Sequence, residues 1–229
     1  VSGDFAHGET RSHTPPLGHK ALTPFYDFVI ALLTRERKWR NAFVREISPG
    51  PGDKIIDIGS GTGSLAIAIH KVSPQTAYYG IDPDADAVQK ARTKAAHAQS
   101  NAKFDVGYFS SDMARFDGPF DKIISSLVLH QVPVAEKRRI IEEIFEAVKP
   151  GGSVHIADYG LQKELQRLLF RVTVQALDGI EDTTPNAEGI IPELLSAAGF
   201  TNVAEAIRIP TLTGTISIYS GRRRQLTEN

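Results

Sequence analysis

Beyond residue 50, short apolar runs alternate with longer segments in which apolar residues return at helical spacing. Lys54 to Ile58 predicts a buried strand, Ser64 to Val72 a helix, and Ala77 to Ile81 a second strand. Asp84 to Ala98 predicts another helix, with Asp84 at the N-cap, where a carboxylate can accept from free backbone N–H groups. Phe104 to Phe109 reads as a third strand and Phe120 to Leu127 as a fourth, strongly apolar one. Ile140, Ile141, Ile144, Phe145 and Val148 lie on one helix face, with Pro150-Gly151-Gly152 as its stop, and Ser153 to Ala157 is the fifth strand. Strands alternating with helices imply right-handed βαβ units and a parallel sheet covered on both faces.

The last third changes rhythm. Leu161, Leu165, Leu168, Leu169 and Val172 trace an amphipathic helix, and Ile191 to Ala198 another, closed by Gly199. Val203 to Ile209 and Leu212 to Ser220 read as strands joined by a tight Pro210-Thr211 corner, too short for a parallel crossover. The expected fold is α/β and doubly wound (Rossmann-like). Its seven-stranded sheet is mostly parallel with an antiparallel last strand, and helices lie on both faces. Upstream, Val1 to Lys20 has no steady period and reads as an arm. A helix can start at Thr23, with Pro24 in its first position. Apolar positions through Trp39, Phe43 and Val44 then predict one or two helices ending before Pro49-Gly50-Pro51-Gly52. Residues 1–50 are therefore expected to form an arm and capping helices. Residues 51–229 are expected to form one domain with a helical insertion at 160–199.

Composition narrows the function classes. Lys plus Arg number 26 against 27 for Asp plus Glu, a balance that argues against a nucleic-acid-binding domain. Cysteine is absent, which removes disulfides, thiolate metal sites and a thiol nucleophile, and fits a reducing compartment. The apolar run from Phe25 to Leu33 is interrupted by Asp27 and too short to span a bilayer. A cytoplasmic protein without membrane or nucleic-acid partners is expected. His7, His13 and His19 lack the spacing of a zinc site, so no metal is expected. Arg222-Arg223-Arg224 reads as a solvated tail.

The strongest chemical signal is Asp57-Ile58-Gly59-Ser60-Gly61-Thr62-Gly63, between the first strand and first helix. Glycines there let the chain turn sharply and approach a ligand. A dinucleotide fingerprint wants its third glycine where Ser64 stands. Asp57, just before the glycines, disfavours a pyrophosphate and suits a cationic group such as an α-ammonium. Asp82 ends the second strand, at the place where a carboxylate accepts from both ribose hydroxyls in this architecture. Helix capping, its plain alternative role, can be filled by Asp84.

The stretch from Lys54 to Gly152 resembles a class I S-adenosylmethionine-dependent methyltransferase of small-molecule type. The match runs in family order through the glycine motif, Gly80-Ile81-Asp82, Ser111-Asp112-Met113, Phe120 to His130, and Val148-Lys149-Pro150-Gly151-Gly152. The resemblance implies that Gly59, Ser60, Gly61 and Thr62 bracket the methionine part of the cofactor, with Asp57 supporting its ammonium group. It implies Pro83 against the adenine, Asp112 accepting from the adenine amino group with the Met113 backbone beside the ring, and Ser126 near the sulfonium. The plain alternatives are a turn role for Asp112 and a buried hydroxyl for Ser126. Leu22 to Asp27 with Trp39-Arg40 is distantly similar to ubiquinone/menaquinone-biosynthesis C-methyltransferases, which would bring Tyr26 to the cofactor carboxylate unless it is a core tyrosine. His130-Gln131 departs from the Arg-Asn pair of that subfamily.

Methyl transfer is an in-line displacement in which the protein orients, excludes water and manages a proton. Candidate catalytic groups must lie at the carboxyl ends of the strands, which selects His130, Asp158 and Tyr159. His130 is the first choice as base because histidine titrates near neutrality; a purely structural histidine is the alternative. Leu168, Leu169, Phe170, Val174 and Leu177 would line an apolar wall and favour a modest, partly hydrophobic acceptor, although core packing would account for most of them. Two other classes stay open: a non-catalytic or regulatory S-adenosylmethionine binder, and a nicotinamide-dependent oxidoreductase, which Ser64 and Asp57 disfavour.

Overall fold

The computed structural model describes residues 35–113 and 118–225, so Tyr26, the histidine-bearing arm and the helix expected from Thr23 lie outside the described residues. The described chain opens on α1 (Glu36–Ile47). Then follow β1 (Lys54–Ile58), α2 (Ser64–Val72), β2 (Ala77–Asp82), α3 (Ala85–His97), β3 (Lys103–Val106) and β4 (Phe120–Ser126). A single 3₁₀ turn (Leu129–Gln131) leads to α4 (Val134–Ala147) and β5 (Val148–Tyr159). Four short helices come next: α5 (Glu164–Val172), α6 (Val174–Asp178), α7 (Ile180–Ala187) and α8 (Ile191–Ala197). β6 (Thr201–Thr211) and β7 (Gly214–Arg222) complete the sheet.

The sheet has seven strands in the order β3-β2-β1-β4-β5-β7-β6. All pairings are parallel except those of β7, which runs antiparallel to both β5 and β6, so the last strand alone is reversed. Chain order reverses on either side of β1, and ligands of such sheets bind beyond the carboxyl ends of the strands there. β1 is apolar on both sides because both sides are covered. Ile55 belongs to a core shared with Trp39, Phe43, Leu65, Ile69 and Val88, and Ile56 to a second core with Ile123, Ile141, Ile144 and Leu194. Successive side chains of a strand point to opposite faces, so the two neighbours anchor opposite layers. Each such side chain contributes about 1.5–3 kcal/mol by leaving water. That packing holds the carboxyl ends of β1, β2 and β4 in fixed register.

Asp84 caps α3, its carboxylate accepting from the backbone N–H groups of Asp86 and Ala87 at 2.8 and 3.2 Å. Replacing it with alanine is expected to cost about 1 kcal/mol, a fall of about 2–4 °C in melting temperature for a chain of this size. A thermal melt monitored by circular dichroism checks this, and an unchanged melting temperature would show that the cap adds nothing.

Several local expectations need correction. α4 ends at Ala147 because the chain enters β5 at Val148, so Pro150-Gly151-Gly152 lies inside the strand, with the Gly151 N–H donating to the Arg223 carbonyl at 2.9 Å. The β6–β7 corner falls at Leu212-Thr213 rather than Pro210-Thr211. Pro210 is tolerated within β6 because that strand is at the sheet edge and needs no donor there, while the Thr211 hydroxyl ties the turn to Gly214. β3 stops at Val106, three residues short of Phe109. Arg223 is no solvated tail. Its guanidinium donates to the carbonyls of Phe145, Glu146 and Val148 and stacks 4.8 Å from the Phe145 ring, covering the free carbonyls at the end of α4. The apolar face of α5 is not core: Leu165, Leu168 and Val172 are 61, 57 and 62 % exposed, and of the expected wall only Phe170 and Val174 are fully buried.

Candidate functional site

The β1–α2 turn and the end of β2 form one corner. The N–H groups of Gly59 and Ser60 donate to the Ile81 carbonyl at 2.9 and 3.1 Å, which laces the turn to β2. The Gly61 N–H donates to Asp82 Oδ2 at 2.8 Å, and the Asp84 N–H to Asp82 Oδ1 at 2.9 Å. Asp82 is thus clamped beside the glycines, each carboxylate oxygen keeping a lone pair for a second donor. A side chain at Gly59, where φ is +70°, would place its Cβ 2.2 Å from Val128, whereas a Cβ on Gly61 would meet nothing within 4 Å. The first glycine is required by packing, and the second faces open space.

The N–H groups of Gly59, Ser60, Gly61 and Gly63 are all spent on protein acceptors, the last on the Ser60 carbonyl at 3.0 Å. A pyrophosphate would need those donors. The turn instead suits a neutral nucleoside with a cationic group, as Asp57 implies.

Asp57 is 1 % exposed. The Tyr78 hydroxyl donates to its Oδ2, while its Oδ1 has no hydrogen-bond partner among the described residues. Burial pushes its pKa up to about 7; the Tyr78 hydrogen bond and Arg40 work against the rise, and Asp82 adds to it. Burial, together with the Asp57 charge and hydrogen bond, raises the Tyr78 hydroxyl well above its usual range, so it stays a donor. Arg40 pairs with Glu36 one helical turn away, but its buried Nε has no acceptor among the described residues. Lys94 of α3 reaches the turn from the other side, donating to Thr62 Oγ1 at 3.0 Å and Ser64 Oγ at 2.8 Å; burial, then Arg40, holds its pKa below the usual lysine value. A buried carboxylate oxygen lacking a donor and a guanidinium N–H lacking an acceptor suit the ammonium and carboxylate of an amino acid. Arg40 entered the sequence reading only within a motif match, and Tyr78 and Lys94 did not enter it.

The other expected cofactor residues surround the corner. Pro83 is exposed just beyond Asp82. Asp112 and Met113 follow β3. Asp112 is exposed with its N–H on the Ser110 hydroxyl at 3.3 Å, and Met113 is partly buried against the second core. Ser126 ends β4, in register with Ala157 of β5.

His130 and Asp158, 28 residues apart in sequence, meet directly. His130 Nδ1 lies 2.7 Å from Asp158 Oδ1, and the His130 backbone N–H donates to Asp158 Oδ2 at 3.2 Å. Both side chains are buried, and the Tyr159 ring stands edge-on to the imidazole at 5.0 Å between centroids. The Tyr159 hydroxyl pairs with Thr213 Oγ1 at 2.8 Å, so it is the ring that reaches the histidine. On the far side of the imidazole, Asp178 Oδ2 lies 3.5 Å and the Gln131 amide nitrogen 3.3 Å from Nε2. Burial of the ring disfavours its charged form, but the charge and hydrogen bond of Asp158, supported by Asp178, outweigh it and push the pKa up to about 9. The histidine therefore does not titrate at neutrality as its type alone suggests. Asp178 was invisible in the sequence, where nothing but the fold links it to His130.

A cavity of about 270 Å³ lies at the opposite end of the sheet, lined among others by Lys122, His155 and Arg222, well away from the glycine corner. No described helix is long and apolar enough to cross a membrane.

A doubly wound sheet, a glycine turn with inward-spent donors and a carboxylate at the end of β2 define a nucleoside-binding α/β protein. Residues 49–190 match the family model described as a methyltransferase domain, and the chain belongs to that family. It is an S-adenosylmethionine-dependent methyltransferase by this membership. It is 26 % identical over 168 residues to a ubiquinone/menaquinone biosynthesis C-methyltransferase of Geotalea daltonii, covering 69 % of this chain and 71 % of the relative. Identity to a demethylmenaquinone methyltransferase of Deinococcus radiodurans is 24 % over 210 residues, covering 82 % and 85 %. Among solved structures, magnesium protoporphyrin IX methyltransferase of Synechocystis with bound S-adenosylhomocysteine superposes with a TM-score of 0.61 at 20 % identity, over 82 % of this chain and 83 % of that one. An O-methyltransferase family protein of Burkholderia thailandensis gives 0.64 at 19 % identity over 87 % of this chain; the match spans only 59 % of that longer protein.

Proposed function

We infer that this protein is a methyl-transferring enzyme (class EC 2.1.1) that modifies a small, partly apolar acceptor, with His130 held by Asp158 as the group that manages the acceptor's proton. The observation that carries the reading is the clamp of Asp82 against the Gly61 N–H at 2.8 Å, which fixes a carboxylate beside a glycine whose Cβ position is open. S-adenosylmethionine, when bound, supplies an activated methyl carbon on a sulfonium. Asp82 would accept from its ribose hydroxyls, and Asp57 with Arg40 would hold its amino-acid end. Pro83, Asp112 and Met113 would flank the adenine, and Thr62 and Ser126 would close the methionine side. Tyr26 belongs to the same reading by analogy.

Across the carboxyl ends of the strands, Asp158 fixes the imidazole through Nδ1, so Nε2 is the nitrogen that can face an acceptor. The helices between residues 160 and 199 are read as the acceptor wall. The exposed Leu168 and Leu177 beside Phe170 support an apolar acceptor. A cytoplasmic setting fits the cysteine-free sequence. Relatives that methylate quinone precursors and a porphyrin support small-molecule chemistry without singling out one acceptor.

The test is transfer of radiolabelled methyl from S-adenosylmethionine into a small-molecule extract, run with the wild-type protein and with His130→Ala. Labelling of an organic-soluble product by the wild type, falling about 10²-fold or more in the variant, is expected for general-base catalysis. Absence of any labelled small molecule would set the reading aside in favour of a non-catalytic cofactor binder.

A further inference from the structure

Two carboxylates from different elements bracket the His130 ring. Asp158 comes from β5, is 1 % exposed and holds Nδ1. Asp178 comes from the last residue of α6, its side chain is 30 % exposed, and it lies 3.5 Å from Nε2. α6 is a five-residue helix followed directly by Gly179 with φ +89°, so Asp178 sits at a short, sharply turned insertion rather than on the sheet. At the same nitrogen stands the Gln131 amide, 3.3 Å away.

These neighbours make opposite demands on Nε2. A carboxylate there stabilises a proton on the nitrogen; an amide N–H there needs its lone pair. Among the described residues, the other charged groups nearby are Lys137 of α4, whose ammonium donates to the Val132 and Asp182 carbonyls and feels the charge of Asp158, and Asp182 of α7. The Tyr159 ring closes another side. Among the described residues that touch the ring itself, Asp178 alone combines a negative charge with partial exposure on a short helix.

We propose that Asp178 is a positioning residue that decides which proton state of His130 faces the acceptor, locking the ring as imidazolium when docked and freeing it when displaced. This rests on the reading of His130 given under Proposed function. When Asp178 moves off, the Nε2 proton passes to solvent, the Nδ1–H stays on Asp158, and the bare Nε2 lone pair is left toward the acceptor. An acceptor O–H that attacks the methyl carbon then gives its proton to Nε2 as the carbon–sulfur bond breaks. The exposed apolar side chains on either side of Asp178, Leu177 at 48 % and Ile180 at 67 %, offer a surface on which an apolar acceptor could displace it.

The test needs no acceptor. The His130 imidazole is titrated by ¹⁵N long-range NMR in the wild type, Asp178→Asn and Asp158→Asn, each saturated with S-adenosylhomocysteine. Asp178→Asn is expected to lower the midpoint by about one pH unit or more, at least tenfold in proton affinity, while the ring keeps its Nδ1–H tautomer. Asp178→Glu should restore most of the shift. A midpoint unchanged in Asp178→Asn but lowered in Asp158→Asn would overturn the proposal, because the buried carboxylate alone would then set the proton. If the shift appears but no methyl acceptor is ever found, Asp178's hold on the ring stands and the catalytic reading of His130 falls.

Discussion

Asp82→Ala is expected to bind S-adenosylhomocysteine at least a hundredfold more weakly than the wild type, with the sheet intact. Two ribose hydroxyls donating to an ionised carboxylate contribute about 1.5–3 kcal/mol each, and every 1.4 kcal/mol is about tenfold in affinity. Part of the loss is local. Asp82 also accepts from the N–H groups of Gly61 and Asp84, so its removal loosens Gly61, while Gly59 and Ser60 keep the turn tied to the Ile81 carbonyl. Asp82→Asn separates the contributions. Its amide oxygen can still accept from Gly61 but carries no charge, so an intermediate loss is expected. Calorimetric titration gives the affinities, and far-ultraviolet circular dichroism verifies the fold. Equal affinity in the wild type and the alanine variant would mean that the ribose lies elsewhere.

Asp57→Asn is expected to move stability and binding in opposite directions. The folded-state pKa of Asp57, about 7, lies above the usual carboxylate value. A group raised in this way contributes stability that is fully present below its unfolded pKa of about 3.9 and is lost as pH rises through the folded value. The ligand-free wild type therefore carries an ill-solvated charge above pH 7, with Oδ1 unpartnered. Asparagine removes that charge while its amide oxygen can still accept from the Tyr78 hydroxyl. The ligand-free variant should accordingly melt several degrees higher than the wild type at pH 8, with the difference closing toward pH 4. Affinity for S-adenosylhomocysteine should fall about tenfold or more at pH 8, as expected for a lost hydrogen bond between charged groups. Wild-type affinity should also weaken as pH drops below 7, whereas the variant's stays flat. A variant that melts lower at pH 8, or that keeps the wild-type pH dependence of binding, would contradict the assignment of Asp57 to the ammonium group.

The parts of this molecule legible in the sequence are those fixed by local rules. A run such as Lys54 to Ile58 can be apolar on both sides only if both sides are covered, so β1 and its place in a parallel sheet follow directly. Asp82 was legible because the distance from glycine turn to β2 end is set by one helix and one strand. Asp84 was legible as a cap because a carboxylate just before a helical run can accept from its free N–H groups. Long-range contacts were not. Asp178 meets His130 only because the insertion after β5 brings the end of α6 to the 3₁₀ turn that follows β4, and no periodicity encodes that return. Arg223 looked solvated because a run of arginines carries no sign of the carbonyls it covers. Core packing was expected for most of Leu168, Leu169, Phe170, Val174 and Leu177, but amphipathicity shows that a helix has an apolar face, not what covers it; Leu168 and Leu177 are exposed while Phe170 and Val174 are buried. The two carboxylates beside His130 also changed its chemistry, outweighing the effect of burial and pushing its pKa up to about 9.

The central claim is a place: adenosine held between the β1–α2 turn and the carboxylate that ends β2. A crystal structure of the protein with S-adenosylhomocysteine tests it most directly. The ribose hydroxyls should lie within about 2.5–3.0 Å of the Asp82 oxygens, with the amino-acid end against Asp57 and Arg40. A complex in which the nucleoside occupies any other part of the sheet edge, with Asp82 still bonded only to Gly61 and Asp84, would contradict it.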